Sequence, residues 1–217
     1  MTKFLHKVYR ILLEEYGYRH KWYGDTKDEI IIGAILTQNT NWLNVEKALA
    51  NLRVLNLLSL PSIAKMKPEK LAFLIRPSGY HNQKAKRLIY IANSLTTDIL
   101  PDKPVYLREY LLSLKGIGPE TADCIMLYAY GFPYFVIDTY TTRIFSRMGL
   151  CSDIVSYQQL QSWFMQYLEP DIKVYSEYHA LLINLAKTAC LKTPKCKECP
   201  LQELCMYAIN NPVEAKQ

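Results

Sequence analysis

The sequence predicts an all-α protein of about ten helices. Apolar residues recur three or four positions apart along most of the 217-residue chain, which is the spacing of a helix with one buried face. A strand would show alternating apolar and polar residues, and no segment has that pattern convincingly; only the short run 134–137 (YFVI) suggests a strand. The sequence contains no internal repeat and no low-complexity tract, so the helices should form one large or two small globular domains.

Composition and charge favour a globular protein with a polyanionic partner. Apolar residues make up 50% of the chain and charged residues 21%, which argues against global disorder. The net charge of +6 favours nucleic acid as the partner, although many basic proteins bind none. The 17 tyrosines and three tryptophans provide rings that stack on bases in some proteins and fill the core in most.

Two helices are predicted at the start of the chain. Residues 3–16 are amphipathic, residues 17–28 are polar and rich in turn formers, and residues 29–37 form an apolar run typical of a buried helix. The first segment carries charges where a signal peptide has an apolar core, and no apolar run approaches the ~20 residues that span a bilayer. We therefore expect a cytoplasmic protein without a membrane partner, whose cysteines are thiols or metal ligands. The apolar face of the first helix comprises Phe4, Val8, Ile11, Leu12 and Tyr16.

An uncharged polar loop, Gln38–Asn41, follows the buried helix and precedes a helix that carries Trp42 and Val45. Asn and Thr favour helix N-caps, so the loop could be a simple turn. Alternatively, its amide side chains could enter DNA. Trp42 lies at helical spacing from Val45 and Leu49, which also allows its ring to pack in the core.

The middle of the chain predicts four further helices. Two short helices begin after Pro61 and Pro68, a longer one begins with a basic cluster, and the fourth occupies residues 105–114. The basic cluster predicts a solvated helix face or, alternatively, contacts with phosphates. Its members are Lys84, Lys86 and Arg87.

A glycine hairpin, Gly116-Ile117-Gly118, follows the last of these helices and leads directly into Pro119. Glycine allows a very tight reversal and lets an anion approach the backbone N–H groups. Proline suits the first position of a helix, whose N-terminal amides would then face that anion. Ile117 can fill the space between the two helices. The pattern predicts a phosphate-binding turn, although a G-x-G motif also occurs in ordinary helix–helix connections.

The chain resembles the endonuclease III superfamily of DNA glycosylases in this hairpin and in the segment that follows. The resemblance rests on residues 114–122 (LKGIGPETA), 131–133 (GFP) and 136–139 (VIDT), which match the superfamily's helix-hairpin-helix, Gly/Pro-rich loop and aspartate. It covers about residues 26–205. Arg143 and His179 also fall where the superfamily tends to carry such residues.

The resemblance implies two helical domains with a DNA cleft between them. Residues 26–133 would form a six-helix domain that contains the helix-hairpin-helix. Residues 1–25 and 134–217 would form a second helical domain, with the catalytic aspartate and a C-terminal loop of four cysteines. The implied partner is double-stranded DNA containing a damaged base, bound by a monomer associated with the nucleoid.

Four cysteines lie within 16 residues near the end of the chain, in the pattern C-x5-C-x2-C-x5-C. Four thiolates so close together in a cytoplasmic protein predict a bound metal centre. Zinc ribbons more often use two C-x2-C pairs about 15–20 residues apart, so one compact loop favours a larger inorganic core. The resemblance implies a 4Fe–4S cluster, but the superfamily commonly has six residues in the first gap and this chain has five, which keeps zinc open. The four residues are Cys190, Cys196, Cys199 and Cys205.

Lysines inside this cysteine loop are candidate DNA contacts. Lys192 and Lys195, with Lys197, would be held at fixed positions by a rigid metal cluster. Each phosphate that they neutralise would make DNA binding more sensitive to salt. The cluster would then be structural, and the reaction would require no redox step.

Asp138 is the predicted catalytic residue. Cleaving an N-glycosidic bond develops positive charge on the sugar, and a fixed carboxylate stabilises that charge and orients the attacking water. Asp138 could instead only cap the next helix, and the two roles are compatible. Superfamily members that also cut the strand carry a lysine two residues after the hairpin, where this chain has Glu120. Glu120 has no amine to form a Schiff base, so the sequence predicts base removal without strand cleavage.

Within the superfamily, the chain looks most like the 3-methyladenine branch, through residues 37–40 (TQNT), 76–79 (RPSG) and 82–87 (NQKAKR). In that branch an aromatic ring shortly after the Gln-Asn stretch stacks on the flipped base, and the corresponding residue here is Trp42. An alkylated purine is cationic, so an aromatic ring would attract it by about 0.5–2 kcal/mol beyond stacking. The other candidate pocket residues are Trp22, or the neighbouring Tyr23, and Glu120, which could instead stabilise its helix start.

Gln38 is the candidate to fill the space that base flipping leaves in the duplex. The main hypothesis is a monofunctional glycosylase for alkylated purines. The alternatives are a glycosylase for mismatched or oxidised bases and a non-catalytic DNA-binding module. Asp138 argues against the last alternative, because phosphate binding alone needs no carboxylate near the DNA.

Overall fold

The computed structural model describes residues 1–18 and 24–211, and within these ranges the chain is helical and contains no strand. The all-α prediction is confirmed. None of the helices in these ranges is long and apolar enough to cross a membrane. The chain divides into two compact units: a central unit, Tyr23–Phe132, and a terminal unit formed by Met1–Trp22 together with Pro133–Gln217.

The α-helices of the described residues are, in chain order, α1 (Thr2–Tyr16), α2 (Lys27–Leu36), α3 (Trp42–Val54), α4 (Leu60–Ala64), α5 (Pro68–Leu74), α6 (His81–Thr97), α7 (Pro104–Ser113), α8 (Pro119–Cys124), α9 (Thr139–Arg147), α10 (Tyr157–Tyr167), α11 (Ile172–Thr188) and α12 (Met206–Asn210). Single 3₁₀ turns occupy Arg76–Ser78, Cys196–Glu198 and Gln202–Leu204, and a π-helical turn, Ile125–Ala129, continues α8.

The helices of the central unit begin where the sequence supplies a cap or a proline. Thr26, Asn41 and Ser59 each accept a hydrogen bond from a backbone N–H three residues later, at the starts of α2, α3 and α4. Proline occupies one of the first two positions of α4, α5, α7 and α8. Helix α6 packs against α4 and α5, and α2 packs against the π-helical turn, so that the apolar run of α2 lies in the core of this unit.

The segment 134–137 of the terminal unit, which suggested a strand, forms no strand and pairs with none in the described residues. Its Phe135 side chain stacks on Phe164 with ring centroids 4.2 Å apart, and its carbonyl accepts a hydrogen bond of 2.8 Å from Gln161 Nε2. Gln161 on α10 therefore donates to a backbone carbonyl that would accept from a neighbouring strand in a sheet. This buried extended segment leads directly into the start of α9, with α11 packed against α9 and α1.

A buried ion pair joins the two helices on either side of the glycine hairpin. Arg108 on α7 donates to both carboxylate oxygens of Asp123 on α8, at 2.6 and 2.9 Å. The Asp123 side chain is fully buried and the Arg108 side chain is 17% exposed. The bidentate geometry fixes the angle at which α8 leaves the hairpin.

Breaking this pair should destabilise the protein strongly. Arg108→Met leaves the Asp123 carboxylate buried without its cation, so we expect the free energy of unfolding to fall by about 3–5 kcal/mol, measured by urea titration. Arg10→Met is the matched control, because the Arg10–Glu14 pair is 70% and 69% exposed and should contribute no more than ~0.5 kcal/mol. Equal effects of the two substitutions would contradict this interpretation.

Candidate active site and cysteine loop

The glycine hairpin is a tight turn whose shape depends on Gly116. Its φ is +99°, and a Cβ built at this position would lie 2.2 Å from both Cδ and Nε of Arg87. Ile117 is 6% exposed and donates its N–H to the carbonyl of Leu114 at 3.0 Å. Pro119 then begins α8, as predicted. The hairpin is therefore a close-packed reversal in which one side of Gly116 is occupied by an arginine from α6.

Gln38 uses both ends of its amide in hydrogen bonds, and its nitrogen is bonded to this hairpin. Its Nε2 donates to the carbonyl of Gly116 at 3.0 Å and to Oγ1 of Thr121 at 3.1 Å. Its Oε1 accepts a charge-assisted bond of 2.7 Å from Arg87. The loop that contains Gln38, the hairpin and the start of α6 thus form one hydrogen-bonded cluster, although they are far apart in the sequence.

Lys84 belongs to the same region but is buried, so both predictions for it, a solvated helix face and a phosphate contact, are wrong. Its side chain is 3% exposed, and Nζ donates to the carbonyls of Leu36 at 2.8 Å and Ser78 at 2.7 Å. Burial, together with the charge of Arg87, lowers the pKa of Lys84 to about 8. Lys84 caps the end of α2 and ties it to the turn before α6.

The other predicted site residues of the central unit that the structure describes, Trp42 and Glu120, are at least partly exposed to solvent. Trp42 is half-buried and donates its indole N–H to Glu46 at 2.7 Å, so the ring is not enclosed in the core. Glu120 is exposed in the first turn of α8. Asn39 has a φ of +55° at the exposed tip of its loop, and Asn41 caps α3 as predicted. Trp22, the second candidate ring, lies outside the described residues, as does Tyr23.

Asp138 is the N-cap of α9, in the terminal unit. Its Oδ1 accepts hydrogen bonds from the backbone N–H of Thr141 at 2.7 Å and from Thr141 Oγ1 at 2.8 Å. Its Oδ2 lies 3.6 Å from Nε2 of His179 on α11, and the two side chains are 10% and 3% exposed. Asp138 is therefore a cap, and its carboxylate is fixed in one orientation.

The surroundings of Asp138 favour the charged carboxylate. Burial acts to raise its pKa, but the nearby imidazole of His179 and the two hydrogen bonds from Thr141 act in the opposite direction. The result is a pKa below the ordinary value of an aspartate. A buried carboxyl group that remains ionised is suited to stabilising positive charge on a substrate.

Two arginines of α9, Arg143 and Arg147, hold the start of the cysteine loop. Arg143 donates from Nη2 to the carbonyls of Cys190 and Ala186, at 2.7 and 3.3 Å. Arg147 donates to the carbonyl of Leu191 at 2.6 Å and to Cys190 Sγ at 3.2 Å. Helix α9 therefore carries Asp138 at its N-terminus and anchors the cysteine loop with its last two turns.

The four cysteines of the loop fit a bound metal centre by their chemistry. Burial chiefly, and then the charges of Cys190, Cys205 and Cys196, raise the pKa of the Cys199 thiol to about 11, against a lowering hydrogen bond from Leu201. A bound metal would stabilise the thiolate form of such cysteines. Among the described residues, no three His, Cys, Asp or Glu side chains are grouped as a single metal ion requires.

The lysines of the cysteine loop are exposed, as a DNA contact requires. Lys192, Lys195 and Lys197 all face solvent. Nζ of Lys195 lies 3.4 Å from the carboxylate of Glu198, and this surface pair is weak enough for a phosphate to displace it.

Several residues of the site were not singled out by sequence reasoning. Thr121, although it lies within the hairpin motif, and Arg147 act through hydrogen bonds to residues distant in the sequence, and no local pattern reveals those partners. Tyr80 precedes α6 with a φ of +46° and 69% of its surface exposed, which is unusual for a large side chain. Tyr80 follows Gly79 and directly precedes a helix, which indicates a turn in the backbone but does not indicate that the ring is exposed.

Comparison with known proteins identifies related chains over most of the length. The pattern of "HhH-GPD superfamily base excision DNA repair protein" matches residues 32–170. A protein of Methanocaldococcus jannaschii, named as a candidate DNA repair glycosylase, is 42% identical over 210 residues, which cover 93% of this chain and 96% of that protein.

Two solved structures have folds similar to that of this chain. H. pylori 3-methyladenine DNA glycosylase bound to 1,N6-ethenoadenine is 30% identical, with a TM-score of 0.71 over 86% of this chain and 95% of that chain. An endonuclease III trapped covalently on DNA is 21% identical, with a TM-score of 0.82 over 97% and 98% of the two chains. At that identity the second likeness concerns the fold alone.

Replacing Gly116 tests the packing of the hairpin. Gly116→Ala combines a positive φ with a clash against Arg87, whereas Gly79→Ala has a positive φ and no atom within 4 Å. We expect Gly116→Ala to lower the free energy of unfolding by about 1–2 kcal/mol more than the control, because Arg87 must leave its bond to Gln38. Urea titration of the two variants measures the difference. Equal losses would show that the Arg87 contact is not required.

Proposed function

Because the chain belongs to the HhH-GPD superfamily of base excision DNA repair proteins, we propose that it is a monofunctional DNA glycosylase for alkylated purines, chiefly 3-methyladenine. It is a DNA glycosylase of this superfamily, and the proposal concerns its substrate and the outcome of its reaction. The observation that carries the proposal is the fixed, ionised carboxylate of Asp138, combined with Glu120 at the position where strand-cutting members of the superfamily have a lysine.

Asp138 is the proposed catalytic residue. As the damaged base departs, positive charge develops on the sugar, and a carboxylate that is already oriented stabilises this charge without reorganising. Thr141 occupies Oδ1 with two hydrogen bonds, which leaves Oδ2 as the oxygen that would orient the attacking water. A cationic purine is already a good leaving group, so the protein need not protonate it.

Glu120 supports hydrolysis instead of covalent catalysis. A lyase reaction begins when an amine attacks the sugar and forms a Schiff base. The side chain at this position is an exposed carboxylate, and Lys115 lies before the hairpin on α7's side. Water is therefore the proposed nucleophile, and the proposed product is an intact strand with an abasic site.

The proposed base pocket uses Trp42, with Trp22 and Glu120 as further members. The half-buried ring of Trp42 keeps part of its surface accessible, and a cationic base over such a ring gains about 0.5–2 kcal/mol. The 30% identity to H. pylori 3-methyladenine DNA glycosylase supports this choice of base.

The proposed DNA contacts come from the hairpin, from Gln38 and from the cysteine loop. Gly116, Ile117 and Gly118 would present backbone N–H groups to a phosphate, next to the N-terminus of α8. Gln38 would fill the space of the flipped base once it leaves its hairpin bonds. Lys192 and Lys195 would contact the backbone. The proposed partner is a damaged duplex, bound by a monomer in the cytoplasm.

The four cysteines are the proposed ligands of a 4Fe–4S cluster, with zinc as the weaker alternative. Cys190, Cys196, Cys199 and Cys205 supply four soft sulfur donors from one loop. The cluster would act as a rigid cross-link of the loop and would supply no redox chemistry to the reaction. Arg147 would orient Cys190 through its bond to the sulfur.

The substrate proposal predicts base release that depends on Asp138. Purified protein is incubated with duplexes that each contain a single lesion, and abasic sites are revealed with alkali. We expect release of 3-methyladenine, and a loss of about 10²–10³-fold in rate for Asp138→Asn, because the neutral amide no longer stabilises the cationic sugar. Asp153→Asn, at an exposed aspartate of the same unit, serves as the control and should retain the wild-type rate.

The same assay distinguishes the alternatives. Strand cleavage without alkali would contradict the monofunctional reaction. Release only from mismatched thymine or uracil, or from oxidised bases, would assign the protein to another substrate class. Binding of damaged DNA without release of any base would indicate a non-catalytic DNA-binding protein.

The metal proposal predicts a brown protein that loses iron when a loop cysteine is replaced. Cys199→Ser should lower the iron content from four atoms per chain and abolish visible absorption, because the cluster needs four thiolate ligands. Cys151→Ser, outside the loop, should leave both unchanged. Iron and zinc are measured together by elemental analysis. A colourless wild-type protein with one zinc per chain would show that the four cysteines bind zinc and not an iron–sulfur cluster.

A further inference from the structure

The imidazole of His179 lies against the one carboxylate oxygen of Asp138 that Thr141 does not occupy. We propose that His179 is a positioning residue for the reaction: it holds Oδ2 of Asp138 in place and keeps the carboxylate ionised. This role rests on the proposed function of Asp138, since a carboxylate needs such support only if its orientation and charge are used.

The two oxygens of Asp138 are held by different elements. Oδ1 is fixed by Thr141 on the same helix, at 2.7 and 2.8 Å, as in any well-formed N-cap. Oδ2 faces Nε2 of His179 on α11 at 3.6 Å, a distance that can shorten when substrate binds. A carboxylate oxygen only accepts hydrogen bonds, so this contact is attractive when Nε2 carries the hydrogen. Because the carboxylate is planar, a contact on each of its two oxygens resists rotation of the group more strongly than the cap alone.

His179 can act only through Asp138. Its side chain is 3% exposed, so it is too deeply buried to bind DNA directly. Helix α11 packs against α9 and α1, which prevents the imidazole from moving away with its backbone. The proposed role is therefore to orient and to stabilise charge, without contact with the reacting atoms.

The other polar groups near His179 have different partners. Tyr178, its neighbour on α11, donates to the carbonyl of Leu5, and Tyr175 donates to the carbonyl of Leu168. On α9 the guanidinium of Arg143 is bound to carbonyls at the start of the cysteine loop. From α1, the ring of Tyr9 packs against Tyr178 with centroids 5.2 Å apart. The charge of Glu177, also on α11, adds to the effect of burial in raising the pKa of Tyr9.

Removing His179 should change the protonation of Asp138. Burial acts to raise the pKa of Asp138, and His179 and Thr141 together bring it below the ordinary value. Without His179, the effect of burial is opposed by Thr141 alone, so the carboxyl group should take up its proton at a higher pH. Because the reaction needs the carboxylate, the acid side of the rate profile should move to higher pH.

The test compares His179→Leu with His179→Gln. Leucine removes the contact of the imidazole with Oδ2 of Asp138, whereas glutamine keeps an N–H donor at this position. Under single-turnover conditions we expect His179→Leu to lose about 10²-fold in rate, with an acid limb displaced to higher pH, and His179→Gln to recover most of the rate. Affinity for the lesion duplex should be unchanged in both. A purely structural role would lower the melting temperature without displacing the pH profile, and that result would overturn the proposal.

A measurement without DNA separates this proposal from the proposed function. Melting temperatures are compared for Asp138→Asn, His179→Leu and the double variant. If the side chains interact, the double variant should lose about 2–4 °C less than the sum of the single losses. Additive losses of melting temperature would overturn the proposal even if the variants show the expected loss of activity. Coupled losses in a protein that releases no base would leave the contact established and would reject the glycosylase assignment of the site.

Discussion

Helix α9 depends on the cap that Asp138 forms at its N-terminus, and the functional part of the terminal unit depends on α9. The same carboxylate that accepts a hydrogen bond from the backbone N–H of Thr141 in the first turn of the helix is the proposed catalytic group. Toward the other end, Arg143 and Arg147 hold the carbonyls at the start of the cysteine loop. An α-helix is stiff over this length, so the carboxylate and the loop occupy fixed positions relative to each other.

In the central unit, the side-chain amide of Gln38 likewise holds separate elements together. Gln38 joins its own loop to the hairpin and to α6 through three hydrogen bonds, and Lys84 ties the end of α2 to the turn before α6. Buried polar networks of this kind are favourable only when every member has a partner, and here the donors and the carbonyls match. The consequence is that the proposed insertion of Gln38 into DNA must release the hairpin. DNA binding and the shape of the phosphate-binding turn are therefore linked.

Basic residues have two separate uses in this protein. Lys84, Arg87, Arg143 and Arg147 point at carbonyls, an amide and a sulfur atom within the protein, so they do not add to its DNA-binding surface as free charges. The exposed lysines of the cysteine loop remain available for phosphates. The 26 Lys and Arg residues of the chain are therefore more numerous than the cations that can release counterions from DNA.

Local patterns in the sequence were enough for the helical fold, the glycine hairpin with Pro119 and the cap at Asp138. Each of these depends on residues a few positions apart, whose relation is set by helix geometry or by backbone sterics. The burial of Lys84 and the partners of Gln38 and His179 were decided by tertiary structure. Gln38 and Gly116 are 78 residues apart, and Lys84 and Leu36 are 48 residues apart. Such contacts arise only when helices pack, because packing determines which long polar side chains are removed from water and must find a partner inside the protein.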